Sequence, residues 1–491
     1  MSAATPEPSV TTAVVVGGGI SGLLSALELA KAGRQVTVLE AGEAWGGCVG
    51  SHVVGGLTLD SGAESFATRS SAVADLAAEL GIAGSIVAPH PGGAWVQLPE
   101  GARELPKTGV LGIPANPWDP EVRRTLGLAG SLRASLDRFL PSSVGTSAAI
   151  TSVSALVRQR MGRRVLERLV EPVVGGVHSA DPALLDVDMV APGLRAGIRA
   201  HGSLAAAVAA QRRGTAPEGA KAGSAVAGLQ GGMHTLITAL VAELRHRGVT
   251  LSSVTRAESV ARTADGWRVS AGERTYDAGL LVVALDGPSA VRLLQDAVPR
   301  LTAHRPDAGP DVKLVTLVVD LPELDRRPRG TGILVAPQTP GIQAKALTHA
   351  TAKWDWLAAA AGPGTHIVRL SYGRGEGPRR TGGFDGQDAS AALPGRGGQG
   401  PDDKELFAAA LRDASALLTV PVTANDVLDW DVVGWGGVLP FAAVGHRQRV
   451  AEVRRVCAAD GRLVMVGGWL AGNGLAAVID DTKRQIADIL R

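Results

Sequence analysis

One short segment constrains this chain more than any other. A β-branched apolar run, Thr12 to Val16, enters Gly17-Gly18-Gly19-Ile20-Ser21-Gly22 without a break. The run reads as a buried parallel strand. Beyond it Leu23, Leu24, Leu27 and Ala30 recur at helical spacing to about Gly33, and a second strand, Gln35 to Leu39, ends in Glu40. In such a unit Gly17 permits the tight turn, Gly19 lets the backbone approach a pyrophosphate, and Gly22 lets helix and strand pack closely. The helix N-terminus offers free N–H groups and a positive dipole end to the phosphates. Glu40 stands where a carboxylate accepts hydrogen bonds from ribose hydroxyls. A G-x-G-x-x-G alone is a weak signal, since glycine turns also arise from packing. Here strand, helix, second strand and acid are all present, and together they predict a dinucleotide-binding βαβ unit.

The stretch that follows selects among dinucleotides. Glu43-Ala44-Trp45-Gly46-Gly47 and then Gly56-Leu57-Thr58-Leu59-Asp60-Ser61-Gly62-Ala63-Glu64-Ser65 resemble the second nucleotide fingerprint of the flavin amine oxidase superfamily. The resemblance implies non-covalently held FAD, with Glu40, Ala41, Gly46, Gly47, Gly62, Ala63, Glu64 and Ser65 along the cofactor. Many members of that superfamily carry a basic residue after the glycine pair; this chain has Cys48. A buried, inert thiol is the expectation there.

The remaining composition narrows the class. At 491 residues the chain is too long for one compact core, so two or three units are expected. Its 49 basic and 47 acidic side chains nearly cancel, and nothing calls for a nucleic-acid partner. Cys48 and Cys457 are too few and too far apart for a metal site, which suits a reducing compartment. The N-terminal MSAATPEPSV has neither a basic nor an apolar signal region, and no run of about eighteen apolar residues occurs. These features lead to the expectation of a cytoplasmic protein.

Further along, a helical region is expected from about Pro120 to His201. Within Val153 to Val170 apolar residues alternate with Arg158, Arg160, Arg163, Arg164 and Arg168. That pattern reads as a solvated basic helix face, or as a face resting on anionic lipid at the inner side of a membrane. Residues Gln211 to Ala227 and Gly373 to Asp403 read as loops. A helix over His234–Arg247, strands over Val249–Ser252 and Trp267–Ser270, and the apolar run Leu280–Asp286 return the chain to the dinucleotide unit. Strands over Lys313–Asp320, Gly332–Ala336, Gln343–Thr348 and His366–Tyr372 have the texture of an antiparallel sheet. A helix over Asp403–Leu418 follows. Near the end, Leu463 to Val466 runs into Gly467, and Gly472-Asn473-Gly474-Leu475-Ala476 opens a last helix. Its N-terminus can stabilise negative charge on a reduced flavin.

Together Gly17–Gly22, Leu229–Leu236, Val282–Leu285, Gly332–Trp354 and Gly467–Ile479 resemble the bacterial protoporphyrinogen/coproporphyrinogen oxidases along nearly the whole chain. The most discriminating stretches are Leu169–Pro182 and Lys345–Trp354. The resemblance implies an α/β flavoprotein of the two-dinucleotide-binding-domain type. Its FAD domain would be discontinuous (9–88, 226–298, 450–491), with a mixed-sheet substrate domain (89–111, 210–225, 299–449) and a helical insertion (112–209) that associates with membranes in some members. It also implies oxidation of a porphyrinogen by O2 with release of H2O2, flavin N5 being the hydride acceptor. No dedicated base is required, because the pyrroles stabilise the cation left by hydride loss. A downstream ferrochelatase is an implied partner; the oligomeric state is left open.

Cofactor contacts are expected from Gly17, Gly18, Gly19, Ile20, Ser21, Gly22, Ala257, Gly467, Gly474, Leu475 and Ala476 besides those above. Arg69, Lys345 and Arg374 are the candidate cations for propionates, and Val174, Gly175 and Gly176 could line an apolar slot. Coproporphyrinogen III is favoured over protoporphyrinogen IX as the more soluble substrate. A flavin amine oxidase would need an aromatic cage, yet aromatic residues are 3% of the chain. A tetrapyrrole carrier that does not turn over is a further alternative.

Overall fold

The structure is a computed structural model that describes residues 12–106, 109–147, 150–178, 180–212, 225–309, 311–373, 401–437, 443–472 and 474–491. A strand at Thr12–Val16 (β1) leads into a helix at Ile20–Lys31 (α1) and a strand at Gln35–Leu39 (β2). Strands at Thr250–Ser252 (β3), Leu280–Val283 (β4) and Leu463–Met465 (β5) complete a parallel sheet in the order β3-β2-β1-β4-β5. That order reverses between β1 and β4, so a crevice opens beyond their carboxyl ends, where doubly wound sheets bind ligands. The runs are apolar throughout because both faces are covered: α1, the helix His234–His246 (α2) and the final helix Leu475–Leu490 (α3) pack on one of them.

A seven-stranded sheet forms the second layer. Its order is 427–435, 312–320, 365–372, 346–349, 332–335, 95–98, 101–104. All pairings are antiparallel except 332–335 with 95–98. The Lys313–Asp320 and His366–Tyr372 expectations fall on two of its three long strands, 427–435 being the third and unforeseen, and the Gln343–Thr348 strand begins later, at Ala346. Most of the Gly373–Asp403 stretch, and Arg374 with it, lies outside the described residues.

The helical insertion has a core of its own, built from residues between Ile113 and Val208. The Val153–Val170 stretch is not one basic helix. It stops at Arg160, turns at Gly162 (φ 92°), and resumes through a short π-helical turn at Leu166–Val170. Arg133 closes the first piece by donating to the Arg160 and Gln159 carbonyls, both at 3.0 Å. The basic-face expectation holds for Arg158, Arg163 and Arg164, which are exposed, and fails at Arg160. Arg160 is fully buried, with its Nε on Asp137 and its other donors on the carbonyls of Asp137, Pro141, Val144 and Gly202. Arg164 and Arg168 donate to the Leu126 and Thr125 carbonyls. Arg160 serves as an internal crosslink, because a buried fork with every N–H bonded retains its charge. Among the described residues no helix is long and apolar enough to cross a membrane.

Candidate functional site

The carboxyl edge of the parallel sheet gathers the N-terminal motif and its partners. Gly17 (φ 107°) has its N–H on the Leu39 carbonyl at 2.8 Å, and a Cβ there would press on the Ala284 carbonyl. A Cβ on Gly22 would run into the Gly17 carbonyl oxygen, so helix and strand can approach only through glycine. Gly19, the N-cap of α1, is different: the space where its Cβ would lie is open, with nothing within 4 Å. The loop therefore encloses a cradle that a side chain would fill, as backbone approach to a pyrophosphate requires. Ile20 and Ser21, buried in the first turn, fix the helix end against the sheet.

Glu40 is set by backbone. Its carboxylate accepts from Gly18 N–H at 2.6 Å and Gly42 N–H at 2.7 Å, leaving two acceptor sites for a diol. The loop after β3 clasps it, with Thr255 N–H on the Glu40 carbonyl at 2.7 Å and Val254 N–H on Gly42 at 2.9 Å. Ala257, two residues on from Thr255, is partly buried beside that loop. Ala41 is likewise half-buried.

The second fingerprint closes over the first. Gly46 N–H donates to the Gly18 carbonyl at 2.8 Å, and Gly47 follows with φ 57°. Cys48 then acts through its backbone: its carbonyl accepts from Ala63 N–H at 2.9 Å, and a Cβ on Gly62 would collide with that same oxygen. Its side chain is accessible yet enclosed by protein, and burial pushes the thiol pKa up. At the other end Gly467 (φ 133°) and Gly474 (φ 111°) precede two helices. Leu475, Ala476, Ala471 and Ala63 all border the same apolar cluster, and the strand Phe66–Ala67, directly after Ser65, packs on α3, which forms a wall there.

Glu64 is the charged centre of that wall. Lys353 Nζ lies 2.5 Å from its Oε1 and Arg369 NH2 2.9 Å from its Oε2. Arg369 also donates to the Asp60 and Gly62 carbonyls at 3.1 and 2.9 Å. Burial acts to raise the Glu64 carboxyl, but the two cations overturn it and hold the pKa at about 2. Two cations against one carboxylate leave a positive surplus beside the segment. Asp60 in turn caps α2, accepting from Met233 N–H at 2.9 Å and His234 N–H at 3.0 Å. Trp435 Nε1 donates to the Ser61 carbonyl at 2.9 Å. The Asp60–Glu64 stretch is thus bolted to the seven-stranded sheet. Sequence reasoning missed Lys353, Arg369 and Asp60 as partners, because nothing local links Glu64 to a lysine 289 positions away.

The candidate substrate residues separate. Arg69 is exposed just past the short strand Phe66–Ala67. Lys345 is enclosed, at 2% exposure, with Nζ donating to the Gly373 carbonyl at 3.1 Å. Val174 lies wholly inside the helical core and does not open onto a slot. Gly176 packs on Leu334 of the seven-stranded sheet, where a Cβ would sit 2.6 Å from the leucine, while the space beside Gly175 is open. Deeper in the sheet His349 and His366 are hydrogen-bonded at 3.0 Å. Burial, then the neighbouring His366 and Arg327, lower the His349 pKa to about 3.

The family model for flavin containing amine oxidoreductase matches residues 20–482. The chain is 31% identical over 478 residues to the coproporphyrinogen III oxidase of Mycobacterium leprae, covering 96% of each protein. It is 28% identical to the coproporphyrinogen III oxidase of Propionibacterium freudenreichii, over 99% of this chain and 92% of that one. A crystal structure from Exiguobacterium sp. 255-15, provisionally named a protoporphyrinogen oxidase, superposes with a TM-score of 0.77 at 23% identity, covering 98% and 99% of the two chains.

Proposed function

The chain belongs to the flavin containing amine oxidoreductase family, and from that premise we propose that it binds FAD non-covalently and oxidises coproporphyrinogen III to coproporphyrin III. The reaction removes six electrons and six protons from the macrocycle and passes them to three O2, giving three H2O2. The observation that carries the cofactor reading is the open cradle at Gly19, framed by Gly17, Gly22, Gly46 and the backbone-held Glu40. When bound, the flavin supplies the two-electron acceptor.

The chain's own residues do the positioning. The N-termini of α1 and α3 direct their dipole ends at the cofactor segments. The positive surplus of Lys353 and Arg369 over Glu64 stabilises negative charge developing at that wall. We assign the parallel sheet and its helices to a FAD domain, the seven-stranded sheet to a substrate domain, and residues 112–209 to a helical one. Arg69, exposed and beside the flavin segment, is the proposed cation for a propionate. Lys345 is not retained, its ammonium being bound within the sheet.

The four-carboxylate substrate is favoured because the curated relatives matched along the whole chain carry that name. Comparing turnover on coproporphyrinogen III and protoporphyrinogen IX tests this choice. One extra carboxylate paired with a cation is worth about 1.5–3 kcal/mol, or about tenfold or more in kcat/KM. Equal or reversed values reject coproporphyrinogen III as the preferred substrate.

We also propose peripheral contact with an anionic lipid surface. Leu128 and Leu132 on the helix Pro120–Ser135, with Leu136 and Phe139 on the 3-10 turn that follows it, are exposed apolar side chains, 46–69% exposed, with Arg123, Arg124 and Arg138 exposed around them. Co-sedimentation with phosphatidylglycerol vesicles, lost on Leu132→Gln with Phe139→Gln, is the expected result. Equal sedimentation of both proteins rejects the contact.

A further inference from the structure

A cavity of about 340 Å³ lies where the helical insertion meets the helix His446–Asp460, away from the cofactor cradle. Its wall brings together Arg195, Arg199 and Arg447, with Asp188 as the one acid among its lining residues. Asp188 does not cancel all three. Arg195 takes its carboxylate with both Nε and NH2, and spends its remaining donors on the Ile150 and Ser147 carbonyls at 2.9 and 3.2 Å. Arg199 makes one long bond, 3.4 Å, to the Thr146 carbonyl. Arg447 is exposed and has no ion pair among the described residues. Three guanidiniums from two parts of the chain therefore face one cavity that has a single lining carboxylate, Asp188, whose pKa all three act to lower while its hydrogen bonds go to Arg195.

The local helix makes this arrangement less favourable still. Leu194–His201 starts at the cavity wall with Gly193 as N-cap, no side-chain cap, and Arg195 in a first turn that holds no acid. Its positive dipole end adds to the guanidiniums, where an anion would ordinarily be found. Like charges converging in a confined space repel unless a ligand compensates them. At this size the cavity suits a small polyanion or one end of a larger ligand, since whole-ligand pockets run from about 300 to 1,000 Å³.

We propose that this cavity binds a compact oxyanion group, a phosphate or the carboxylate arms of a tetrapyrrole, bridging Arg199 of the insertion and Arg447 of the helix His446–Asp460. The site acts as a clamp on that junction. His446, one residue before Arg447, holds the Trp469 carbonyl at 2.5 Å, so the clamp adjoins the segment that leads to Gly472–Ala476. The proposal does not depend on which porphyrinogen the enzyme oxidises.

Thermal melts of the FAD-saturated protein test it, the filled cofactor site being unable to answer for phosphate. Inorganic phosphate is compared with chloride at equal ionic strength, and coproporphyrin III is added in a separate arm. A Tm rise of about 2–4 °C with phosphate is expected at saturation, with affinity weakened at least about tenfold by Arg199→Gln or Arg447→Gln and unchanged by Arg123→Gln. A rise with coproporphyrin III alone, lost in the same two variants, supports the proposal and identifies the anion source as a tetrapyrrole. No rise with either anion, or a rise that both cavity variants retain, overturns it. Melts of the variants in chloride, expected to match the parent, separate lost binding from lost folding.

Discussion

The two ends of the cofactor crevice are made differently. The nucleotide end is backbone: Gly17, Gly19, Gly22 and Gly46 set by short-range turns, with Glu40 pinned by the N–H groups of Gly18 and Gly42. The proposed reactive end is side chain: Glu64 held by Arg369 of the seven-stranded sheet and by Lys353 of the short helix Ala350–Lys353. Backbone geometry fails by steric collision, all at once. A charge cluster fails by degrees, and it answers to pH.

The sharpest way to break the first end is Gly22→Val. Its side chain would run into the Gly17 carbonyl, and since ordinary overpacking costs about 1–3 kcal/mol, a loss of at least about 3 kcal/mol is expected. Flavin content and Tm should fall together. Gly19→Val is the discriminating partner. Gly19 has an ordinary φ of −71° and open space beside it, so the fold is kept within about 1 kcal/mol while the new side chain fills the cradle and flavin is lost. If Gly19→Val keeps its flavin, the cradle is not where the pyrophosphate lies.

At the second end a double-mutant cycle of Lys353→Met and Glu64→Gln measures the pair. Contacting charges in one network couple by about 0.5–3 kcal/mol, and Lys353→Met alone should be worse than the double variant because it leaves Glu64 buried with one cation fewer. Additive losses would show the two side chains to be independent. With the parent protein, Glu64 contributes stability that is present above its usual pKa near 4.5 and is lost as pH falls towards about 2.

The smallest effect expected comes from His349, four residues before Lys353. Its folded pKa, about 3, lies below the unfolded value near 6.5. The unfolded chain therefore binds more protons between those values, and stability falls as pH drops below 6.5. His349→Phe should flatten the Tm–pH profile between pH 6.5 and 5. An unchanged profile would assign that slope to other groups.

The same contrast explains what the sequence disclosed. β1, α1 and β2 were legible to the residue or nearly so, because their signals are local: a β-branched run, a glycine spacing, a helical period and a terminal acid. The strands 312–320 and 365–372 of the second sheet were legible for the same reason, while the nine-residue strand 427–435 was not foreseen. The Val153–Val170 stretch misled at Arg160, which looks solvated by period yet is drawn inward by carbonyls such as those of Pro141 and Val144, while Arg158, Arg163 and Arg164 are exposed. Glu64 was read as a cofactor-segment residue, without its partners. Lys353 lay inside a quoted motif, but only the folded chain pairs the two. The substrate cations were least legible, because a count of arginines does not say which of them face a common space.

The central claim is that this backbone cradle holds a flavin that takes electrons from a porphyrinogen. Mixing the purified holoenzyme anaerobically with coproporphyrinogen III tests it most directly. The visible flavin band is expected to bleach, and on admitting air porphyrin fluorescence should appear with three H2O2 per porphyrin formed. A flavin band that coproporphyrinogen III and protoporphyrinogen IX both leave unchanged, while a simple alkylamine bleaches it, would contradict the account.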